Sequence, residues 1–500
     1  MVQELLASRI TLTPRPVQPR PAALEVAFLG HCPGRVRLER LLGMPQLLEE
    51  LRANGFIEQV ENLLSGIASE SLLALEHLPL PLRSSAEFHD LFPDAATAPC
   101  QYRSILAGNK AWLPASVDDY FANGGVKLWT VKIPETEQQA GFFPAQDTKL
   151  HDVRSLRGLA TLMIINSIGS VAFPDLERLQ VPANLPDVPR VQLDNPDPQF
   201  LPCGTLEEDD HRERRSQSEM PTAIDTLEFS QILRNLLTLP GKHRPDWQMI
   251  FTMPLAYSTN LNTPCLDTVA SETLHQIKQS ESASRLRQIQ LVFPYLRGPA
   301  SRLRTGVGAL AGKQANAAER IGIWSSVAEQ ALSINARPYP ALSIAETVKL
   351  RKAPGISIMR YSRERVRFDD ERLAVPALPG NDIKTSVNDA RYDGYRSAEV
   401  QRLMGFLQRA LQALGEQIIF NMDYRDPRPR LLLNNYFNTL YKRGALRGAS
   451  AKEAFTITQI PSYEGHMVFE IEIAPALPIE TIHLTFNNID GRWNGGLSLG

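Results

Sequence analysis

The sequence predicts a multidomain chain of mixed α/β and α+β class, with an α/β part followed by an α+β part at the C-terminal end. Three observations predict it. At 500 residues the chain is too long for one ordinary core, and about two to four domains are expected. Apolar runs of strand length, around 24–31, 126–133, 167–174, 247–253 and 288–295, alternate with helical stretches through most of the chain. The last hundred residues differ: a helical pattern is followed by three runs in which apolar and polar residues strictly alternate.

The N-terminal 22 residues read as an arm. Ile10 and Leu12 alternate with Thr11 and Thr13, enough for one short strand, and Pro14, Pro16, Pro19 and Pro21 keep the chain extended beyond it. So short a strand cannot bury its own apolar side and needs a sheet edge, in this subunit or another. From Leu24, LEVAFLGHCPGRV is a buried-type strand ending in a turn. Leu47, Leu48, Leu51, Ile57, Val60, Leu63 and Leu64 make an amphipathic helical pattern over 45–75, and 86–93 reads as another helix. Tyr120 and Phe121 lie at a helix end, Asn123-Gly124-Gly125 supplies the positive φ of a tight turn, and a core strand is expected from Val126 to Ile133.

A short strand is expected at 167–174, a solvated Pro-rich and charged loop at 180–222, a helix at 224–238, and strands at 247–253 and 288–295. Val400, Leu403, Met404, Leu407, Leu411 and Leu414 then form the stripe of a helix over 395–414, with Ser397 as its cap. Gln417 to Phe420 reads as a short apolar strand. The next helix has Pro427 and Pro429 at its start, Leu433, Tyr436, Phe437, Leu440 and Tyr441 as its stripe, Lys442 and Arg443 in its last turn, and Gly444 as its stop. Three strands follow, centred on Phe455 and Ile457, on Met467 to Ile473, and on Ile482, Leu484 and Phe486. Pro475 and Pro478 break the chain between the last two.

Composition removes several function classes. A net charge of −2 gives no global attraction to nucleic acid or anionic lipid. No run of about 18 uncharged apolar residues is present, so no membrane insertion is expected, and the N-terminus lacks a signal-peptide core. Synthesis and assembly in the cytoplasm are expected. The four cysteines, Cys32, Cys100, Cys203 and Cys265, are spaced for neither zinc nor a redox pair. The nine histidines form no HxH or HxxxH pair.

Three catalytic motifs match only in letters. Gly306 to Ala311 fits GxGxxA, but several Arg residues separate it from the preceding strand. Gly312-Lys313 lacks both the first P-loop glycine, replaced by Val307, and the Ser or Thr, replaced by Gln314. Gly496 to Gly500 fits GxSxG with no helix or later acid and base. Asp423 and Asp426, before a helix, are better placed to cap it than to act as paired acids.

The motifs Gly444 to Phe455 (GALRGASAKEAF) and Ala474 to Glu480 (APALPIE), after a helix carrying Asn435, Tyr436 and Phe437, resemble the C-terminal domain of contractile tail sheath proteins. YFANGG at 120–125 before a strand, Pro174-Asp175 after one, and Ala311-Gly312, Glu319, Gly322 and Trp324 in the segment 308–328 are similar to further sheath landmarks. The Pro-Ala that follows the Trp in the family is absent here. The resemblance implies a sheath-type subunit divided into an arm at 1–22, the N-terminal part of the core at 23–135 with a helical insertion at 45–80, a central α/β domain at 136–375 with the polar loop 180–222, a C-terminal α+β domain at 376–474, and a linker and arm strand at 475–500. It implies a structural protein, not an enzyme, that forms stacked hexameric rings and a helical polymer around an inner tube, with baseplate and terminal cap proteins as further partners. Neither cofactor nor metal nor direct nucleic-acid contact is implied.

On this reading Ile10 and Leu12, and Ile482, Leu484 and Phe486, supply strands donated between subunits. Lys442, Arg443 and Arg447 are the candidate contact with the inner tube; their plainer role is to complement the helix dipole. A multidomain α/β enzyme is the alternative, although no active site emerges. The two-chain sheath of type VI secretion is not suggested, because one chain carries both sets of terminal landmarks.

Overall fold

All seven residues of β1 (Glu25–His31) are buried, which places this strand inside a sheet covered on both faces. The structure is a computed structural model and describes residues 23–65, 72–104, 106–145, 148–182, 228–257, 264–278, 281–298, 302–352, 355–375, 397–419, 426–460, 467–476, 482–489 and 492–499. The arm strand with Ile10 and Leu12, and nearly all of the polar loop, lie outside the described residues.

After β1 come α1 (Pro45–Ala53), α2 (Ile57–Ser65), β2 (Pro79–Leu82), α3 (Ser85–Leu91), α4 (Leu113–Ala122) and β3 (Leu128–Ile133). Then follow β4 (Ile168–Ala172), α5 (Pro174–Gln180), α6 (Phe229–Leu237), β5 (Gln248–Thr252), β6 (Ile289–Phe293), α7 (Val307–Arg320), β7 (Ser357–Ser362) and β8 (Arg365–Phe368). The last quarter holds α8 (Ala398–Ile419), α9 (Arg428–Lys442), β9 (Phe455–Ile460), β10 (Met467–Ile473), β11 (Ile482–Ile489) and β12 (Arg492–Leu499).

Eight strands form one sheet in the order β8-β7-β6-β5-β4-β1-β3-β2. The six inner strands are parallel, and the edge strands β8 and β2 run antiparallel to their neighbours. The sheet spans residues 25–368 and so joins the segments on either side of residue 135. In β2 the sequence is Pro-Leu-Pro-Leu. Its prolines withhold donors, which blunts this edge against further pairing. A charged residue inside β1 is paid for locally: Glu25 Oε2 accepts from Trp129 Nε1 at 2.7 Å and Ser167 Oγ at 2.7 Å, with Lys127 Nζ at 2.8 Å.

Several sequence expectations change in detail. The stretch 45–75, expected to be helical, holds two helices parted at Gly55, whose φ of +92° suits a residue without Cβ, and Leu72–Leu73 is a short strand instead. Val126 is 48% exposed and the core strand begins at Leu128. The turn before it forms as expected, with Gly124 at φ +90°. The run Gln417 to Phe420 is not a strand: through Ile419 it continues α8, whose stripe of Val400, Leu403, Leu407 and Leu411 is buried. A short apolar run has no periodicity of its own, so the helix already under way decides its state.

The C-terminal strands form a separate antiparallel sheet in the order β9-β10-β11-β12. Phe455, Ile457, Phe469, Ile471 and Ile473 are buried on one face, and Thr456, Thr458, Glu470 and Glu472 are exposed on the other. Helix α9 covers the apolar face with Leu433, Phe437 and Leu440, and the Phe437 and Phe455 rings lie 5.6 Å apart.

Candidate functional site

Of the residues named for assembly, Lys442, Arg443, Arg447, Ile482, Leu484 and Phe486 lie in the C-terminal unit, and Ile10 and Leu12 lie outside the described residues. Helix α9 starts with Pro429 in its first turn. Before it, Asp426 Oδ1 accepts from the Arg428 backbone N–H at 2.9 Å and Oδ2 from Arg428 Nε at 2.6 Å. These hydrogen bonds hold the Asp426 carboxyl below its usual range. The helix ends at Gly444, φ +80°, where Ala445 N returns to Leu440 O.

That reversal sets the place of the three cations. Lys442 and Arg443 are exposed at the end of α9. The next turn is pinned to the chain leaving β10, because Arg447 N donates to Ala474 O and Ala476 N donates to Ala445 O, each at 2.8 Å. Arg447 is exposed beside them. All three therefore sit on one corner, between a helix C-terminus and a fixed turn. Lys442 complements the helix dipole from there.

The strand containing Ile482, Leu484 and Phe486 is β11. It pairs with β10 of its own chain, in the register Ile473↔Ile482, Ile471↔Leu484 and Phe469↔Phe486. Strand β12 then pairs along the whole of β11, from Ile489↔Arg492 to Ile482↔Leu499. Strand β12 was not expected from the sequence, because Asn494, Gly495 and Gly496 interrupt its alternation and depress β-propensity. Trp493, Leu497 and Leu499, all at odd positions, were the signal that could have found it.

A second cluster went unseen in the sequence: buried ion pairs that attach α8 to the eight-stranded sheet. Arg402 meets Glu371 at 2.9 Å, and Arg409, seven residues on along the same helix face, meets Asp246 at 3.1 Å. Arg244 also grips Asp246, at 2.9 Å. Burial alone would raise both acids, but the guanidinium groups outweigh it and hold Glu371 and Asp246 below the usual carboxylate range. Glu399, one turn before Arg402, is different: burial and the Glu371 charge push it up to about 7.

The letters that mimicked nucleotide motifs have a packing role. A Cβ at Gly308 would lie 2.5 Å from Ser116 O, and one at Gly312 would lie 2.2 Å from Tyr120 O. These glycines let α7 lie directly against α4. Among the described residues no group of three His, Cys, Asp or Glu side chains could hold a metal ion. No helix among them is long and apolar enough to cross a membrane.

No protein-family model and no curated protein matches the chain. Solved structures do. The helical sheath of the anti-feeding prophage in its contracted state aligns over 96% of this chain and 97% of its own, with a TM-score of 0.51 at 14% identity. The chain has the fold of a contractile sheath subunit. A chain in the contracted baseplate of the same particle aligns over 96% and 97%, with a TM-score of 0.54 at 16% identity. A chain in its six-fold symmetrised baseplate gives 0.51 at 14% over the same shares.

Proposed function

We propose that the chain is the structural subunit of a contractile sheath. It polymerises as stacked hexameric rings around an inner tube and contracts to drive that tube through a target envelope. The observation that carries this reading is the likeness of fold, over 96% of the chain, to a helical sheath in the contracted state. Two packings of one rigid subunit suffice for contraction, with the extended packing metastable and new subunit contacts supplying the energy.

The C-terminal sheet supports a route to the polymer. Strand β11 lies seven-deep in register on β10. The same strand from a neighbouring copy meets the same partner and register, so exchange between subunits costs little beyond reordering the linker. Strand donation by Ile482, Leu484 and Phe486, and by Ile10 and Leu12 of the N-terminal arm, would weave the rings together. An offset contact of this kind that does not close on itself builds a helical tube. Lys442, Arg443 and Arg447 face the inner tube in this reading, and the ends of the polymer meet baseplate and cap proteins.

Analytical sedimentation with negative-stain electron microscopy tests the proposal. Purified protein at rising concentration is expected to form rings or tubes. A small closed oligomer at every concentration, with the inner tube protein present or absent, would overturn it.

A further inference from the structure

The eight-stranded sheet contains a point where its winding reverses. From β1 the chain runs out to the edge strand β2 and back to β3 on one side, then crosses to β4 on the other and continues outward through β5, β6 and β7. In open α/β sheets the crevice beyond the carboxyl ends of the strands at such a reversal is where ligands bind. Here it lies beyond His31 of β1 and Ala172 of β4, facing the start of α4.

One side chain occupies it. Asp175 is fully buried and receives four hydrogen bonds. Its Oδ1 accepts from Trp112 N at 2.9 Å and Arg178 Nε at 2.8 Å, and its Oδ2 accepts from His31 N at 3.0 Å and Leu113 N at 2.9 Å. Three backbone N–H groups from two separate segments and one guanidinium thus converge on one carboxylate, the kind of donor set that holds an anion at a helix start. Gly30 completes the cradle: a Cβ there would lie 2.6 Å from Asp175 Oδ2 and 2.7 Å from Leu113 Cβ. Arg178 is fixed in turn by Tyr102 O at 3.0 Å and Glu135 Oε1 at 3.1 Å. The His31 imidazole turns its Nδ1 to Ile133 O at 3.0 Å, so the Arg178 guanidinium is the charged donor to Asp175.

We infer that Asp175 is an internal ligand: the reversal crevice is a binding site for a small carboxylate, and the chain fills it with its own. Asp175 is buried and is not among the residues proposed for assembly, so its test does not depend on the sheath reading. Withdrawing the carboxylate leaves four directed donors around a space of its own size, which formate matches and bulkier carboxylates do not.

The experiment uses the full chain carrying Asp175→Ala, with thermal unfolding followed in sodium formate, sodium pivalate and sodium chloride at equal ionic strength. Formate is expected to raise the midpoint of the variant in a saturable way, with pivalate and chloride equal to each other. The unsubstituted protein and Asp175→Asn, whose side chain keeps the space filled, are expected to respond to formate no more than to chloride. Should Asp175→Ala fail to fold on expression, its refolding yield from urea is the reading, expected to be higher in formate than in chloride. Equal effects of formate and chloride on Asp175→Ala, or an equal formate effect on Asp175→Asn, would overturn the inference.

Discussion

Arg402 Nη1 lies 2.9 Å from Glu371 Oε1, and Nη2 lies 3.2 Å from Oε2, so the pair is bidentate and almost fully buried. Gln314 Nε2, Ser326 Oγ and Val327 N complete the acceptor capacity of Glu371. A helix from the last quarter is thereby locked onto the sheet of the first three. Arg402→Met keeps the stem and leaves a buried carboxylate without its cation, a loss of about 3–5 kcal/mol. The urea midpoint should fall accordingly. Arg402→Met with Glu371→Gln should recover much of it, since the stranded charge goes too. A double variant no better than the single one would show that packing, not charge, fixes α8.

Glu177 gives the fold a pH dependence. Burial raises it from 4.5 to about 8, against the hydrogen bonds that Thr305 and Thr252 supply. The folded state thus binds a proton that the unfolded state releases near its ordinary value. The stability this proton contributes is full below about pH 4.5 and is lost as pH rises through 8. Glu177→Gln should therefore gain on the unsubstituted protein from pH 5 to 8. Thermal midpoints across that range, falling in parallel for the two proteins, would contradict the assignment.

Gly312 sets two effects against each other. By helix propensity alone, Gly312→Ala gains about 1 kcal/mol. The new Cβ, however, would sit 2.2 Å from Tyr120 O, a backbone atom of α4 that cannot turn aside. Overpacking costs about 1–3 kcal/mol, so the net sign is a loss. A rise in thermal midpoint for Gly312→Ala would mean that α7 and α4 separate freely.

These cases mark what the sequence could and could not disclose. Strand β1 and the two glycine turns at Gly124 and Gly444 were legible, because burial on both faces and positive φ leave local signatures. The ion pairs were not. Arg402 and Glu371 are 31 residues apart, and Arg409 and Asp246 are 163 apart, so no spacing rule joins them. The end of α8 was misread for the opposite reason, since an apolar run too short to show a period takes its state from the helix before it. Strand β12 hid behind two glycines that its partner β11 tolerates.

Deleting residues 1–13 probes the arm. The two large sheets are built from residues 25–368 and 455–499, so a chain lacking residues 1–13 should keep its folded core and its unfolding midpoint within about 0.5 kcal/mol equivalent. It should lose the ability to form tubes under the electron microscope, because donated main-chain hydrogen bonds are gone. Tubes of normal length from the truncated chain would remove the arm from the assembly mechanism.

The corner formed by Lys442, Arg443 and Arg447 carries the last prediction. All three are exposed, so replacing them together with Glu should leave folding nearly unchanged, beyond a few tenths of a kcal/mol from the dipole at Lys442. If the corner faces the inner tube, each lost contact is small, about 0.2–1 kcal/mol, but it repeats in every subunit along the polymer. Co-sedimentation with the inner tube protein should then fall steeply in the triple variant. The unsubstituted pair should weaken with salt as surface charges are screened. Full co-sedimentation of the charge-reversed protein, at low and high salt alike, would leave these residues with only the helix end to serve.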